Sequence, residues 1–205
     1  MNRYTTVAQE ASAEQVIDRS RFIAHISRAF SKEEADAYIA GIRAAYKDAT
    51  HNVPAFIVGE KSELKWTSDD GEPQGTSGPP VLQMLEREGV TNVVCVVTRY
   101  FGGVKLGTGG LVRAYTSSAK LALEAAGKHT VKDVARFTAD IPYTLLGKLQ
   151  NLEKDEPYTI ETVAYAETVR MVLLMDREDE QQVRDLLLEL SSGTVKTGET
   201  AYTIE

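Results

Sequence analysis

Apolar positions recur with two different periods along the chain, and the switches between them mark its elements. Across residues 4–28 the runs YTTVAQEASAEQVIDRSRFIAHI put Phe22, Ala24 and Ile26 on one strand face and Ile23 and His25 on the other, which fits two or three short strands. In SKEEADAYIAGIRAAYKDA the period becomes helical, with Ala35, Ile39, Ile42 and Tyr46 on one stripe, Ser31 as N-cap and Glu34 as its capping-box partner. A strand at VPAFIVG, a short one near ELKWT and the turn-rich SDDGEPQGTSGPP follow. Pro79 and Pro80 suit a first helical turn, VLQMLERE supplies an apolar face, and Gly89 ends it. TNVVCVVTRY reads as a buried strand, and LVRAYTSSAKLALEAAG as a helix packed closely on a sheet and ended by Gly127.

Beyond Gly127 the pattern changes. VKDVARFTADIP reads as a strand, YTLLGKLQNLEK as a helix, YTIETVAYA and TVRMVLLMD as a hairpin, DREDEQQVRDLLLEL as a helix with an acidic first turn, and TVKTGETAYTIE as a final strand. The order βαββαβ is that of a ferredoxin-like split unit. An α+β chain of two domains is therefore expected, 1–130 and 131–205, with the boundary near 128–134 and no Pro/Gly/Ser linker. No internal repeat or low-complexity segment is present.

Composition narrows the function classes. With 205 residues, 42% hydrophobic and 26% charged, the chain can bury one large core or two small ones. The N-terminus shows no signal-peptide pattern and no run nears the roughly 18 apolar residues of a membrane helix, so a cytoplasmic address and no membrane partner are expected. The single cysteine, Cys95, lies in the apolar run NVVCVV and reads as a packing residue. His25, His51 and His129 show no metal-ligand spacing, so neither a metal nor a cofactor is signalled. The net charge of −7 is uneven: residues 1–132 carry 16 basic and 15 acidic groups, residues 133–205 carry 7 and 15. Any contact with a polyanion must therefore come from a local patch on the first part, and the acidic second part is expected either to meet a protein partner or simply to dock on the first domain.

One such patch stands out. Residues 99–115, RYFGGVKLGTGGLVRAY, hold five glycines between 102 and 110. Thr108 and Gly109 stand where a Walker loop needs Lys-Ser/Thr, and Val112 takes the third glycine position of a dinucleotide loop, so both motifs fail. Their physics survives: a strand end, exposed backbone N–H groups and a helix start favour an anion. Arg99, Lys105 and Arg113 add positive charge with no acidic residue between 89 and 123, and Arg113 in the first turn would be opposed by the helix dipole unless an anion binds. Of Tyr100 and Phe101, one is expected in the core and the other free to stack on a base. The alternative is that Gly102, Gly103, Gly107, Gly109 and Gly110 only permit positive φ and close packing.

Asp69, Asp70 and Glu72 form the opposite cluster, in a turn with Gly71. A solvated turn, or an ion pair with Arg99 or Arg113, is favoured over a Mg²⁺ site, because two or three carboxylates alone specify none. His51, just before a strand, suits a loop hydrogen bond better than a general base. Ser20, between Arg19 and Arg21, reads as a strand-edge residue, and Trp66 as core or inter-loop packing. No Ser/His/Asp or Cys/His grouping emerges, and no catalytic residue is assigned.

Together HNVPAF (51–56), SDDGEPQGTSGPP (68–80), RYFGGVKLGTGGLVRAY (99–115) and SRFIA (20–24) strongly resemble the IMPACT family, whose bacterial members are called YigZ-like. The resemblance covers the first 130 residues, and the tail is similar to the second domain of bacterial members. It implies a left-handed βαβ fold in the first domain, shared with a small-subunit ribosomal protein domain, domain IV of elongation factor G and the sugar-kinase superfamily. The tail is implied to look like domain V of elongation factor G. Eukaryotic relatives regulate translation under amino-acid starvation by competing for a general-control activator protein, through an added domain with no counterpart in these residues. Val53 stands where members often carry Cys, Asp18-Arg19-Ser20 where Lys-Lys-Ser is common, and Ser77 where Ala is common. The expected function is a binding protein near translation that grips RNA or ribosomal phosphate through Arg99, Tyr100, Lys105, Arg113 and the loop amides, with His51, Asp69, Asp70 and Glu72 in support. The rival is an enzyme acting on a small phosphorylated or nucleotide substrate.

Overall fold

Val93–Tyr100 (β6) is apolar on both faces because it is covered on both, and the first part of the chain is built around it. The computed structural model describes residues 2–204, which divide into two compact units, Tyr4–Thr130 and 131–204 with residues 2 and 3.

In the first unit β6 lies between Ser20–Arg28 (β3) and His51–Val58 (β4), with Ala11–Ile17 (β2) and Leu64–Thr67 (β5) at the edges. All neighbours in the order β2-β3-β6-β4-β5 are antiparallel. β3 and β4 thus run parallel to each other with β6 inserted, joined by the helix Lys32–Ala45 (α1). Alternation along the strands sorts side chains into two layers. Phe22, Ala24, Ile26, Val53, Cys95 and Val97 face the helices Gly78–Arg87 (α2) and Gly107–Ala126 (α3). Phe56, Val94 and Val96 face Ala35 and Ile39 of α1. Cys95 is fully buried, and burial pushes its thiol up to about 12, so it packs without reacting.

The local sequence explains the helix ends. Ser31 Oγ accepts the Glu34 N–H at 3.1 Å, while the Glu34 carboxylate reaches back to the Phe30 N–H at 2.8 Å, one residue before the position of a strict capping box. α2 carries proline in its first turn and is followed by Gly89 at φ +69°. α3 differs from expectation. It begins at Gly107 rather than near Leu111, taking Gly107, Thr108, Gly109 and Gly110 into its first turn. Glycine costs about 1 kcal/mol per helical position against alanine, and burial of Leu111, Ala114 and Tyr115 on the sheet outweighs that cost. Arg113 is consequently in the second turn, not the first.

Asn2–Val7 (β1) and Lys128–Ile141 (β7) each run from one unit into the other. The second unit continues with Tyr143–Leu152 (α4), Thr159–Tyr165 (β8), Val169–Asp176 (β9), a single 3₁₀ turn at 177–179 and Glu180–Leu190 (α5). β7 pairs with β9 and β9 with β8, giving the α+β, ferredoxin-like βαββαβ arrangement. The final strand is split into Lys196–Thr197 (β10) and Ala201–Ile204 (β11), both on β7. Between them Gly198 approaches so closely that a β-carbon would stand 2.4 Å from Thr138 Oγ1. Phe137, Leu149, Met171, Leu173, Val183 and Leu187 form the core. Among the described residues no helix is long and apolar enough to cross a membrane.

Replacing Ser31 by Ala should lower unfolding free energy by about 1 kcal/mol, the usual worth of such a cap. Urea titration checks this, with a midpoint shift at unchanged slope expected.

Candidate functional site

At the end of β6 the strand alternation decides which side chain enters the interior. Arg99, only 5% exposed, points in, and Tyr100 points to the opposite face, where its hydroxyl donates to Asp48 at 3.0 Å and Arg21 lies over its ring. Tyr100 therefore leaves the group with which it was expected to act. Phe101 takes the exposed role at 48%, and neither aromatic is in the core.

Arg99 Nη1 donates to Glu72 Oε1 at 2.6 Å and Nη2 to Ser20 Oγ at 3.2 Å, with Phe22 and Phe101 each near 5.4 and 5.3 Å of its guanidinium carbon. The Tyr115 hydroxyl donates to the same Glu72 oxygen at 2.7 Å. Burial first, then the Glu72 hydrogen bond, raise the Tyr115 pKa far above the ordinary phenol range, so it keeps the proton it donates to Glu72. Glu72 is itself 8% exposed. Of the readings offered for this turn, Glu72 takes the ion pair with Arg99 rather than a solvated position, and Arg113 takes no part. Ser20, expected at a strand edge, is fully buried on an interior strand and also accepts the Gly102 N–H at 3.2 Å. Gly102 is required there, since a β-carbon would stand 2.0 Å from the Arg19 carbonyl oxygen.

The rest of the acidic turn is a frame. Asp69 accepts the N–H groups of Gly75, Ser77 and Gly78 and the Ser77 hydroxyl. Burial alone would raise its pKa, but those bonds from Gly75, Ser77 and Gly78 outweigh it and hold the carboxyl below its ordinary 3.8. Asp70, at φ +50°, accepts from the Asn52 N–H and from Arg43, both at 2.7 Å. His51 is the first residue of β4 rather than a loop residue, and its Nδ1 meets the Asp70 carbonyl at 2.7 Å. A carbonyl only accepts, so Nδ1 holds the proton and Nε2 faces Glu72 Oε1 at 3.9 Å, beyond hydrogen-bond reach.

Against this frame stands the start of α3. Leu106 gives no side-chain cap and the first turn has no acidic residue, so no side chain caps the first-turn amides of Gly107, Thr108 and Gly109. Arg113 reaches back toward them, its Nη1 3.6 Å from where a Gly109 β-carbon would stand. Among the described residues Lys105, Arg113 and Arg87 have no carboxylate within 4.0 Å. Two hollows flank this helix start. One, of about 400 Å³, is lined by Glu72, Arg99, Phe101, Lys105, Leu106 and Gly107 among others. The other, of about 680 Å³, includes Asp18, Arg87, Gly110, Arg113 and Lys120, and Leu106 borders both. The predicted residues are therefore parted into two groups, with Gly103 at φ +85° shaping the loop beside the first. Tyr115 was missed as a site residue because a tyrosine on a buried stripe reads as core; Arg87 and Lys120 lie outside the quoted stretch and gave no signal. A hollow of about 370 Å³ in the second unit is edged by Glu153, Glu156, Asp176 and Asp179, and Asp176 is already held by Lys132.

The loops and strands that build this corner lie within residues 18–123, which match the model of the Impact N-terminal domain. The chain belongs to the IMPACT family. Residues 140–194 match a second model, the domain of unknown function DUF1949. IMPACT family member YvyE of Bacillus subtilis strain 168 is 35% identical over 98% of this chain and 94% of its own length. IMPACT family member YigZ of Escherichia coli strain K12 is 34% identical over 74% of this chain and 76% of its own. The crystal structure of a hypothetical protein superposes with a TM-score of 0.62 at 30% identity, covering 96% of this chain and 97% of that one.

Glu72→Ala should leave Arg99 buried and unpaired in this IMPACT domain and cost about 3–5 kcal/mol, against about 1.5–3 for Tyr115→Phe; denaturant titration of both variants checks the order. Asp69, with its lowered folded pKa, contributes stability above the ordinary carboxylate pKa and loses it as pH falls through the folded value. The melting-temperature gap between wild type and Asp69→Asn should be steady at neutral pH and close below about pH 4.

Proposed function

We propose that this IMPACT family member is a binding protein, not an enzyme, that holds single-stranded RNA or ribosomal RNA across the start of α3 and acts in translation regulation. The observation that carries the reading is the group of unpaired cations, Lys105, Arg87 and Arg113, gathered at an uncapped helix N-terminus between two open hollows. Positive side chains near a positive helix end raise each other's energy, and a phosphate relieves both at once. Two hollows sharing Leu106 form a track longer than a single phosphate, and exposed Phe101 offers a face for stacking. Family membership supports the translational setting. The acidic second unit is proposed to meet a protein partner rather than the RNA.

The rival reading, an enzyme on a small phosphorylated substrate, draws on the same hollow. Against it, His51 is committed to a main-chain carbonyl and Glu72 to Arg99 and Tyr115. Among the described residues lining that hollow, no hydroxyl or thiol is hydrogen-bonded to a base.

Changing Lys105 and Arg113 together to Ala should weaken binding across RNA sequences and flatten the salt dependence by about 1.4 in the log–log slope, at about 0.7 per phosphate contact. Filter binding at several salt concentrations, with ribosome co-sedimentation, checks it; unchanged slope and affinity contradict the reading.

A further inference from the structure

We propose that the hollow between the acidic turn and α3 takes one unstacked guanine of the bound strand. This inference rests on the RNA reading above and adds a base preference to it. Glu72 Oε1 is filled by Arg99 and Tyr115, whereas Oε2 has no hydrogen bond among the described residues and belongs to a carboxylate that lines the hollow. This carboxylate, paired with the guanidinium at 2.6 Å, offers acceptor oxygens to the hollow. A phosphate is repelled from that inner end and stays at the mouth, where Lys105 and the Gly107 to Gly110 amides lie.

The walls suit a base. Pro73, Leu106 and Leu111 are apolar, and Phe101 stands at the rim with Arg99 near one face of its ring. Stacking alone accepts any base, so the preference comes from Glu72. Guanine presents two adjacent N–H donors, N1 and N2, on its pairing edge. Adenine and uracil set each donor directly beside an acceptor, which the carboxylate repels, and cytosine offers its N4 amino group alone, without a ring N–H donor beside it. Guanine's remaining O6 and N7 are acceptors of the kind lysine recognises, and Lys105 borders the same hollow.

The experiment uses the full chain and labelled octamers: all uridine, and uridine with one central guanosine, adenosine, cytidine or 1-methylguanosine. Guanosine should bind at least about tenfold tighter than uridine, and 1-methylguanosine, which lacks the N1 donor, should lose most of that gain. Phe101→Ala, a change at an exposed residue that leaves the buried ion pair intact, should weaken the guanosine and uridine octamers alike and keep the preference between them. Equal affinity of the wild type for all octamers, or adenosine or cytidine matching guanosine, overturns the inference while the RNA reading stands. Binding of no octamer at low salt overturns both.

Discussion

The ion pair between Arg99 and Glu72 ties the end of the central strand to the acidic turn, and the geometry of the corner depends on it. Two charges in an interior cost several kcal/mol each to desolvate, and they persist only where further donors and acceptors complete them. Here Ser20 and Tyr115 supply part of that completion, each from a different element, β3 and α3, while Arg99 Nε is buried without a hydrogen-bond partner. One pair thereby fixes β6, β3, the turn at 69–72 and α3 relative to each other. Ser20 extends the tie to Gly102 in the loop that leads to α3. A buried pair of this kind is weak as a source of stability but strong as a constraint on where four segments stand.

The same pair also separates two kinds of charge in the glycine stretch. Arg99 is neutralised inside, so the positive potential at the surface belongs to Lys105, Arg113, Arg87 and the open amides of α3. In sequence, Arg99 and Arg113 look equivalent, each an arginine at the edge of a glycine run. Strand alternation sends one inward, and the helix carries the other to the outer side of its second turn. A positively charged surface and an inner hollow lined by the paired carboxylate are thus adjacent, and the glycines between them permit the close approaches, most plainly at Gly102.

Much of the fold was legible in the pattern. The strand at 93–100, the capped helix after Ser31 and the βαββαβ order of the second unit follow from period, caps and turn residues, which are local. The start of α3 was not legible, because four residues containing three glycines read as loop and only burial of Leu111 and Tyr115 makes them helical. The candidate site was half legible: the stretch and its charge were visible, but the pairing of Arg99 with Glu72 spans 27 residues and depends on which face of β6 the arginine takes. The split of the final strand escaped for a similar reason, since the approach of Gly198 to Thr138 is a contact between distant residues.

The central claim is that the open amides at the start of α3 receive phosphate. The most direct measurement is the backbone amide NMR spectrum of the full chain during titration with a single-stranded RNA octamer at low salt. The account predicts saturable shifts at Gly107, Thr108, Gly109 and Gly110, with Lys105 and Arg113 moving along the same binding curve. Shifts confined to the second unit, or none at Gly107 to Gly110 while RNA binds, contradict it.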